Sequence, residues 1–434
     1  MIAIVGAGPA GLSAAVAAAK LGQQVILIDS SPRLGGQYWR HLPSNWGVGR
    51  PTYFAKAQEL FDEVLSNPLI TRFSNAHVWQ AEKKAEQFNL YVVRNGVEEI
   101  VKAEKVILAT GAYDRALPFP GWDLPGVMTA GAAQSMLKSH GVLVGKKFVI
   151  AGTGPFLLPV ATGLAAAGAE VVGLYEANNP LRWILNLHGL ILNPSKIREG
   201  IYFLKRLRSL GIKVHYGKEI QSAVSDGVLV DGKKIECDTV AIGSGFVPEL
   251  SLAGILGAKL KVGADGTVVV DVDQHQQTSI PGLYAAGEST GIGGSSLAVL
   301  EGEIAGSTRK GKRLARWRAQ VFATGLQRVY PVSNKWQSAL TPKTILCRCE
   351  EVSLADIHGA IDELGAQDGR SAKLFTRAGM GLCQGRVCGR NVSEIVACHL
   401  SRDLTAEERI NTAQRPLAAP ISLGELGDGL EKNF

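Results

Sequence analysis

The sequence predicts an α/β protein with two parallel-sheet units and a small helical domain at its C-terminal end. Two observations predict the sheets, because two glycine-rich turns each stand between an apolar strand pattern and a helix pattern. A third predicts the small domain, because four of the six cysteines form two close pairs near the C-terminus. The 51 glycines in 434 residues follow no G-X-Y period, and 46% of the residues are hydrophobic. Collagen and disorder are therefore excluded.

The first glycine turn has the full context of a dinucleotide-binding fingerprint. An apolar run at residues 2–5 leads into Gly6-Ala7-Gly8-Pro9-Ala10-Gly11, and a helix pattern, a second apolar run at 25–28 and Asp29 follow. The three glycines permit a tight turn, close approach of a pyrophosphate and close helix–strand packing, while the acid suits ribose hydroxyls. The sequence thus predicts a Rossmann-like domain whose nucleotide contacts are Gly6, Gly8, Pro9, Ala10, Gly11 and Asp29.

Three further segments indicate that this nucleotide is FAD. A strand pattern ends at Thr110-Gly111, another ends at Gly287-Glu288, and Gly35-Gly36-Gln37 follows the second strand. They resemble the motifs of flavoproteins with two dinucleotide-binding domains of the thioredoxin/glutathione-reductase type. In that family the terminal acid hydrogen-bonds the ribityl chain, and here Glu288 stands where Asp is commoner. The resemblance implies FAD contacts at Gly36, Gln37, Thr110, Gly111, Gly287 and Glu288. For Gly35–Arg40, a plain glycine turn with aromatic core residues stays an alternative.

The second glycine turn is an incomplete fingerprint. Gly152-Thr153-Gly154 joins a strand pattern to a helix pattern, and the next strand ends at Glu176. Leu157 replaces the third glycine, so we expect helix and strand to lie further apart. Gly152, Gly154 and Glu176 predict a site for NAD or another adenine nucleotide, and a domain that binds no nucleotide stays open.

The order of the motifs predicts a discontinuous first domain. Residues 1–118 and 246–325 would form the FAD-binding domain, and residues 119–245 an inserted domain that resembles NAD- or adenine-nucleotide-binding domains. Residues 340–400 would form the cysteine domain, and 401–434 a C-terminal tail.

The cysteines follow the pattern C-x-C, 33 residues, C-x-x-x-x-C. Four thiolates bind a [2Fe–2S] cluster or a structural zinc, and zinc ribbons favour C-x-x-C pairs instead. A cluster is therefore preferred over zinc or free thiols, and nearby glycines would let backbone N–H groups approach the sulfurs. The predicted ligands are Cys347, Cys349, Cys383 and Cys388. No paired-cysteine redox motif precedes residue 237, which disfavours a disulfide reductase.

Cys347–Glu351 together with Gly379–Cys388 is similar to the bacterioferritin-associated-ferredoxin-like [2Fe–2S] module. Joined to the two nucleotide units, and with Ala109–Gln134 and Ile421–Leu426, it resembles the α subunits of bacterial opine oxidases. Dye-linked proline or D-hydroxyproline dehydrogenases and the B subunit of hydrogen cyanide synthase are similar too. The resemblance implies an electron-transfer subunit whose partner β subunit carries a second flavin and oxidises the amine. A small ferredoxin-like γ subunit is a further candidate partner.

Three hypotheses remain: this electron-transfer subunit, a stand-alone NAD(P)H-dependent flavin reductase that reduces its own cluster, and an assembly subunit. No residue set demands hydrolysis, so no catalytic residue is assigned. The net charge is +7, and the basic segment 309–318 lacks a nucleic-acid recognition module, so no nucleic-acid partner is expected. We expect no transmembrane segment and a cytoplasmic location. An alternative is a cytoplasmic protein that contacts a membrane peripherally through its electron acceptor.

Overall fold

The computed structural model describes residues 1–41, 53–263, 265–307, 312–333 and 336–430. The first three residues of the basic segment 309–318 lie outside these ranges. Among the described helices, none combines the length and the apolar character needed to cross a bilayer.

The first sheet has five parallel strands, and its central strand Ile2–Val5 is buried along its whole length. Burial on both faces explains the unbroken apolar runs seen in the sequence. In spatial order the strands are Leu283–Ala285, Lys105–Leu108, Ile2–Val5, Val25–Ile28 and Ile70–Phe73. An antiparallel three-stranded sheet covers one side, with strands Ala76–Lys84, Gln87–Arg94 and Val97–Ala103. The helices of this part are Pro9–Ala19, Tyr53–Ser66, Ser251–Ile255 and Ser295–Ser307, with a 3-10 turn at Gly287–Thr290.

Helices Pro9–Ala19 and Ser295–Ser307 pack unusually closely. A Cβ on Gly302 would lie 2.0 Å from the Ala10 carbonyl oxygen, and one on Gly306 would lie 2.2 Å from that of Ala14. These two glycines therefore serve helix packing rather than a direct cofactor contact.

The second sheet also has five parallel strands. In spatial order they are Val214–Tyr216, Glu170–Glu176, Lys147–Gly152, Thr239–Gly243 and Val127–Thr129. An antiparallel sheet of Ile220–Val224, Gly227–Val230 and Lys233–Glu236 accompanies it. Its helices are Ala130–His140, Leu157–Ala166, Leu187–Leu192 and Pro194–Ser209, with a 3-10 helix at Pro180–Asn186.

Short strands and one long helix connect these units. Ala112–Asp114 pairs antiparallel with Phe246–Pro248, where the chain leaves the first unit and returns to it. Leu260–Val262 pairs with Val268–Val270. Helix Arg313–Val329 packs against both Ser295–Ser307 and the 180–192 segment, so it bridges the two units. The domain boundaries given above stay predictions.

The cysteine domain has its own small core around Ile357, Val392 and Val396. Strands Ile345–Cys347 and Val352–Ser353 form a short hairpin, preceded by a 3-10 turn at Trp336–Ala339. Its helices and those of the tail are Leu354–Asp362, Gly369–Thr376, Gly389–His399, Ala406–Asn411 and Leu423–Leu430.

Candidate functional site

A single cavity of about 1750 Å³ runs along the first sheet and reaches the second glycine turn. It exceeds the roughly 300–1,000 Å³ of ordinary ligand pockets, as a dinucleotide requires. Of the twelve residues predicted to contact FAD, eleven line it: Gly6, Gly8, Pro9, Ala10, Asp29, Gly36, Gln37, Thr110, Gly111, Gly287 and Glu288. Gly11 lies behind the turn, and its contacts are with the protein.

The first glycine turn leaves no room for a side chain at Gly6 or Gly11. Gly6 has a φ of +105°, and a Cβ there would lie 2.2 Å from the Ala109 carbonyl oxygen. A Cβ on Gly11 would lie 1.7 Å from the Gly6 carbonyl oxygen, and one on Gly36 would lie 2.8 Å from the Gly8 Cα. The helix that starts at Pro9 thus directs its free N–H groups into an open backbone cradle, which fits a pyrophosphate.

Asp29 holds the turn from its far side. Its carboxylate accepts hydrogen bonds from the Ala7 N–H at 2.5 Å and the Ser31 N–H at 2.7 Å. It also lines the cavity, so it can still accept from ribose hydroxyls.

Glu288 lies deep in the cavity wall. Its carboxylate accepts hydrogen bonds from the Gly293 N–H at 3.2 Å and the Gly294 N–H at 2.8 Å. Burial raises its pKa to about 7 despite these bonds, and the nearby Glu301 carboxylate raises the pKa further. Glu288 is therefore an acceptor whose charge changes near neutral pH.

The segment that follows the second strand divides into core and cavity residues. Trp39 is buried against Phe61, as the alternative interpretation expects. Gln37, Tyr38 and Arg40 line the cavity.

Sequence reasoning missed one helical wall of the cavity. Gln134, Ser135 and Lys138 of helix Ala130–His140 line it, and Arg40 donates a hydrogen bond to Ser139 of the same helix. Burial lowers the pKa of Lys138 to about 8, and the positive charge of Arg40 lowers the pKa further. Gln134 and Lys138 are four residues apart, and this helical spacing was the available signal.

The second glycine turn accommodates Leu157 through a compensating glycine. Leu157 is fully buried, and its Cδ2 would lie 2.7 Å from a Cβ on Gly243 of the neighbouring strand. A Cβ on Gly152, whose φ is +133°, would lie 1.9 Å from the Gly243 carbonyl oxygen. Gly243 therefore provides the space that the missing third glycine would have given.

Glu176 repeats the geometry of Asp29 in a more closed setting. Its buried carboxylate accepts hydrogen bonds from the N–H groups of Gly154 and Asn178, both at 2.9 Å, and burial raises its pKa. Gly154 lines the cavity, whereas Gly152 and Glu176 do not. The Asn178 side chain donates to Thr153 Oγ1 at 2.7 Å and to the Pro331 carbonyl oxygen at 3.0 Å. The chain after helix Arg313–Val329 thus contacts this turn.

The four predicted ligand cysteines meet as two pairs. Cys347 contacts Cys388, and Cys349 contacts Cys383. The Gly379 N–H donates to Cys347 Sγ at 3.4 Å, as the glycine pattern led us to expect. Four cysteines that lie near one another are the ligand set that a [2Fe–2S] cluster takes.

The environments of the two cysteine pairs differ. Cys347 and Cys388 are buried, Cys349 is exposed and Cys383 is half-buried. Burial is the main cause that raises the pKa of both Cys388 and Cys349, so binding a metal would have to displace thiol protons. The remaining cysteines, Cys237 and Cys398, lie apart from both pairs.

A partly buried ion pair joins the cysteine loop to the flavin-side turn, and sequence reasoning missed it. Arg386 Nε lies 2.9 Å from a Glu249 carboxylate oxygen. The Glu249 N–H donates to the Gly111 carbonyl oxygen at 2.9 Å, and Thr110 Oγ1 donates to the Glu249 carbonyl oxygen at 2.7 Å. Arg386 also donates to the Cys383 carbonyl oxygen at 3.3 Å. Its position inside C-x-x-x-x-C was visible in the sequence, but its partner was not.

The inserted unit also contacts the cysteine domain. The Arg348 guanidinium lies 4.3 Å from the centre of the Trp122 ring, and Trp122 Nε1 donates to the Ile345 carbonyl oxygen at 2.5 Å. The cysteine domain is therefore held from both sides.

Residues 1–309 match the family model of the pyridine nucleotide-disulphide oxidoreductases, and residues 345–397 match that of the BFD-like [2Fe-2S] binding domain. The A subunit of opine oxidase from Agrobacterium tumefaciens is 32% identical over 98% of this chain and 90% of the relative. The HcnB subunit of hydrogen cyanide synthase from Pseudomonas aeruginosa is 32% identical over 89% of this chain and 90% of the relative.

The crystal structure of L-proline dehydrogenase from P. horikoshii superposes with a TM-score of 0.71. The superposition covers 98% of this chain and 78% of the proline dehydrogenase chain, at 21% sequence identity. At this identity the similarity is one of fold. Together the matches confirm the predicted α/β fold class, the family resemblance, the oxidoreductase class, and FAD and a [2Fe–2S] cluster as cofactors. The individual contacts to each cofactor stay predictions.

Proposed function

This chain belongs to the pyridine nucleotide-disulphide oxidoreductase family, and we propose that it is the electron-transfer α subunit of a heteromeric dehydrogenase or oxidase of amino acids, opines or other secondary amines. FAD exchanges electrons in pairs or singly, whereas a [2Fe–2S] cluster carries one electron at a time. A chain that holds both can join a two-electron oxidation to a one-electron acceptor.

The observation that carries this proposal is the partly buried link from Gly111 through Glu249 to Arg386. It fixes the loop between Cys383 and Cys388 against the turn that lines the FAD cavity. A rigid connection of this kind keeps the two cofactor sites at a constant separation. An assembly subunit that only stores cofactors would not require it.

The proposed cofactor contacts follow from the geometry. Backbone N–H groups of the Gly6–Gly11 turn would hold the pyrophosphate, Asp29 the ribose and Glu288 the ribityl chain. Cys347 with Cys388 and Cys349 with Cys383 would each hold one iron.

The partner is proposed from the names of the relatives. The opine oxidase and hydrogen cyanide synthase relatives are both named as subunits, so a heteromeric assembly is proposed for this chain. The amine-oxidising site and a second flavin would then belong to a β subunit, and a ferredoxin-like γ subunit is a further candidate.

A second candidate is a stand-alone NAD(P)H-dependent flavin reductase, which the intact Gly154–Glu176 contact favours. The chain after helix Arg313–Val329 opposes it, because Pro331 accepts a hydrogen bond from Asn178 and so occupies space beside this turn. Another adenine nucleotide, or no nucleotide, is equally compatible with that site.

The full chain, purified alone with its cofactors, separates the two candidates. We expect no appreciable NADH:dye turnover, and fast turnover would refute the α-subunit proposal in this form. Purification from the native host should bring an oxidase-like second polypeptide that confers amine-dependent dye reduction. A chain that purifies alone with full amine-dependent activity would also contradict the proposal.

A further inference from the structure

Residues of the inserted unit and of the helix Arg313–Val329 together form a face with a concentration of exposed apolar side chains. We define this basic apolar face as the exposed side of residues 180–209 and 312–318. It carries eleven of the 27 large apolar side chains that are exposed among the described residues, with exposures between 39% and 80%. The most exposed are Leu185 and Ile191. Such a concentration marks an interaction surface, because monomers rarely expose large contiguous apolar patches.

The segments of this face are packed together, so their side chains form one surface. Both Arg318 Nη2 and Nε donate to the Leu192 carbonyl oxygen, at 2.8 and 3.1 Å. The Asn193 side chain donates to the Arg318 carbonyl oxygen at 2.9 Å. Trp183 stacks on Phe322, with ring centres 5.7 Å apart.

The two sides of helix Pro194–Ser209 face different surroundings. Lys196, Glu199 and Phe203 line the large cavity. Ile197, Ile201 and Leu204 are exposed on the other side with the i, i+4, i+7 spacing of an apolar stripe. The stripe therefore faces away from the nucleotide sites and has no partner in this chain among the described residues.

The charge of this face has almost a single sign. Residues 180–209 and 312–318 contain ten Lys and Arg against one Glu, a net charge of +9, whereas the whole chain has +7. The remainder of the chain therefore has a net charge of −2. Three of the cations pair with carboxylates, namely Lys196, Lys312 and Arg316. The other seven have no ion pair within the part of the chain that the structure describes.

These features together select the occupant. A second copy of this chain would place cations against cations, so it is disfavoured. A protein partner would have to offer a matching acidic surface, and the variants below distinguish it from a lipid surface. Apolar tips flanked by Lys and Arg, with aromatic residues such as Tyr202 and Trp317 between them, are instead typical of helices that lie in the surface of an anionic membrane.

We propose that the basic apolar face binds the surface of an anionic lipid bilayer. Leu185, Ile191 and Trp317 enter the boundary between headgroups and acyl chains, and the surrounding arginines contact lipid phosphates. The protein thereby lies on the membrane without spanning it. This inference is independent of the proposed redox function, because lipid binding requires no electron transfer.

The test is flotation of the purified full chain with vesicles of phosphatidylcholine, with and without phosphatidylglycerol. We expect binding at least ~tenfold tighter to the phosphatidylglycerol vesicles, and weaker binding at high salt. Leu185→Glu should abolish binding, whereas Leu374→Glu, at a residue that is 66% exposed on the cysteine domain, should leave binding unchanged. Flavin absorbance and monomer size confirm that each variant is folded.

A second pair of variants tests the charge. Lys205→Glu with Arg206→Glu should lower binding to phosphatidylglycerol vesicles by ~tenfold or more. The matched control, Lys102→Glu with Lys105→Glu, reverses two exposed cations on the first unit and should change binding little. Trp317 fluorescence should shift to shorter wavelength on binding, and Trp317→Phe should remove that shift.

Four outcomes would overturn the proposal. The first two are no binding to phosphatidylglycerol vesicles and equal binding to vesicles of pure phosphatidylcholine. The third is an equal effect of Leu185→Glu and Leu374→Glu on binding. The fourth is that Leu185→Glu leaves lipid binding unchanged but releases a protein partner or a second copy of this chain. The last result would assign the face to a protein interface.

Discussion

The ion pair between Glu249 and Arg386 should hold the cysteine loop against the flavin-side turn. Their side chains are only 23% and 17% exposed. Removing one partner of a fully buried pair costs about 3–5 kcal/mol, so with this residual exposure we expect about 2–3 kcal/mol for Glu249→Gln. Arg386→Met should cost slightly more, because hydrogen bonds to Ser251 and the Ala418 carbonyl oxygen are lost too.

The double variant tests whether the two residues act together. Once the charge of Glu249 is gone, removing Arg386 leaves no buried unpaired ion, so we expect a coupling free energy of about 2 kcal/mol. The matched control is the exposed pair of Lys261 and Asp271, with 51% and 34% exposure, whose coupling should stay under about 1 kcal/mol.

Amide hydrogen exchange of the loop between Cys383 and Cys388 measures this local opening without unfolding the chain. A loss of 2–3 kcal/mol corresponds to roughly 30- to 150-fold faster exchange. Stopped-flow reduction of the same variants would show whether electron transfer between flavin and cluster slows in parallel. A coupling below about 0.5 kcal/mol, or unchanged exchange in Glu249→Gln, would refute the reasoning.

The pair also predicts a pH dependence. Burial alone would raise the pKa of Glu249, but Arg386 and the hydrogen bonds from Ser251 outweigh it and hold the pKa below 4.5. Because the folded-state pKa is the lower one, the pair stabilises above pH 4.5, and its contribution is lost as the pH falls below that value.

Three other predictions concern the cofactor sites. Cys383→Ser should remove the iron–sulfur absorbance and leave the flavin band, with Cys237→Ser as a neutral control, and loss of both cofactors would contradict separate sites. Burial raises the pKa of Glu288 from 4.5 to about 7, so the carboxyl ionises less readily in the folded chain than in the unfolded chain. The free energy of unfolding therefore falls as the pH rises from 4.5 through 7. Glu288→Gln should therefore stabilise the flavin-free chain by up to about 3 kcal/mol at pH 8 and little at pH 4, as measured by thermal melts. An equal effect at both pH values would show that the raised pKa of Glu288 is not the cause. Gly11→Ala places a Cβ 1.7 Å from the Gly6 carbonyl oxygen, so FAD should be lost, and a variant that retains stoichiometric FAD would show that the turn can adapt.

Several features were accessible from the sequence because they depend on local pattern. Strand, glycine turn, helix and acid follow one another within 29 residues, and their sterics require glycine at Gly6 and Gly11. The cysteine spacing identified the cluster domain for the same reason. Leu157 shows the limit of such reasoning, because its compensating residue, Gly243, lies 86 positions away in a neighbouring strand.

The sequence by itself determined the fold class, the two cofactors and the family, since each is encoded in residues that are close along the chain. Only the tertiary structure decided what joins the cofactor sites and what the outer surface offers. Glu249 and Arg386 meet across 137 positions, and the basic apolar face combines segments more than 100 residues apart. Burial and charge pairing depend on which distant residues become neighbours in the folded chain. The local pattern of apolar and polar residues in the sequence does not contain this information.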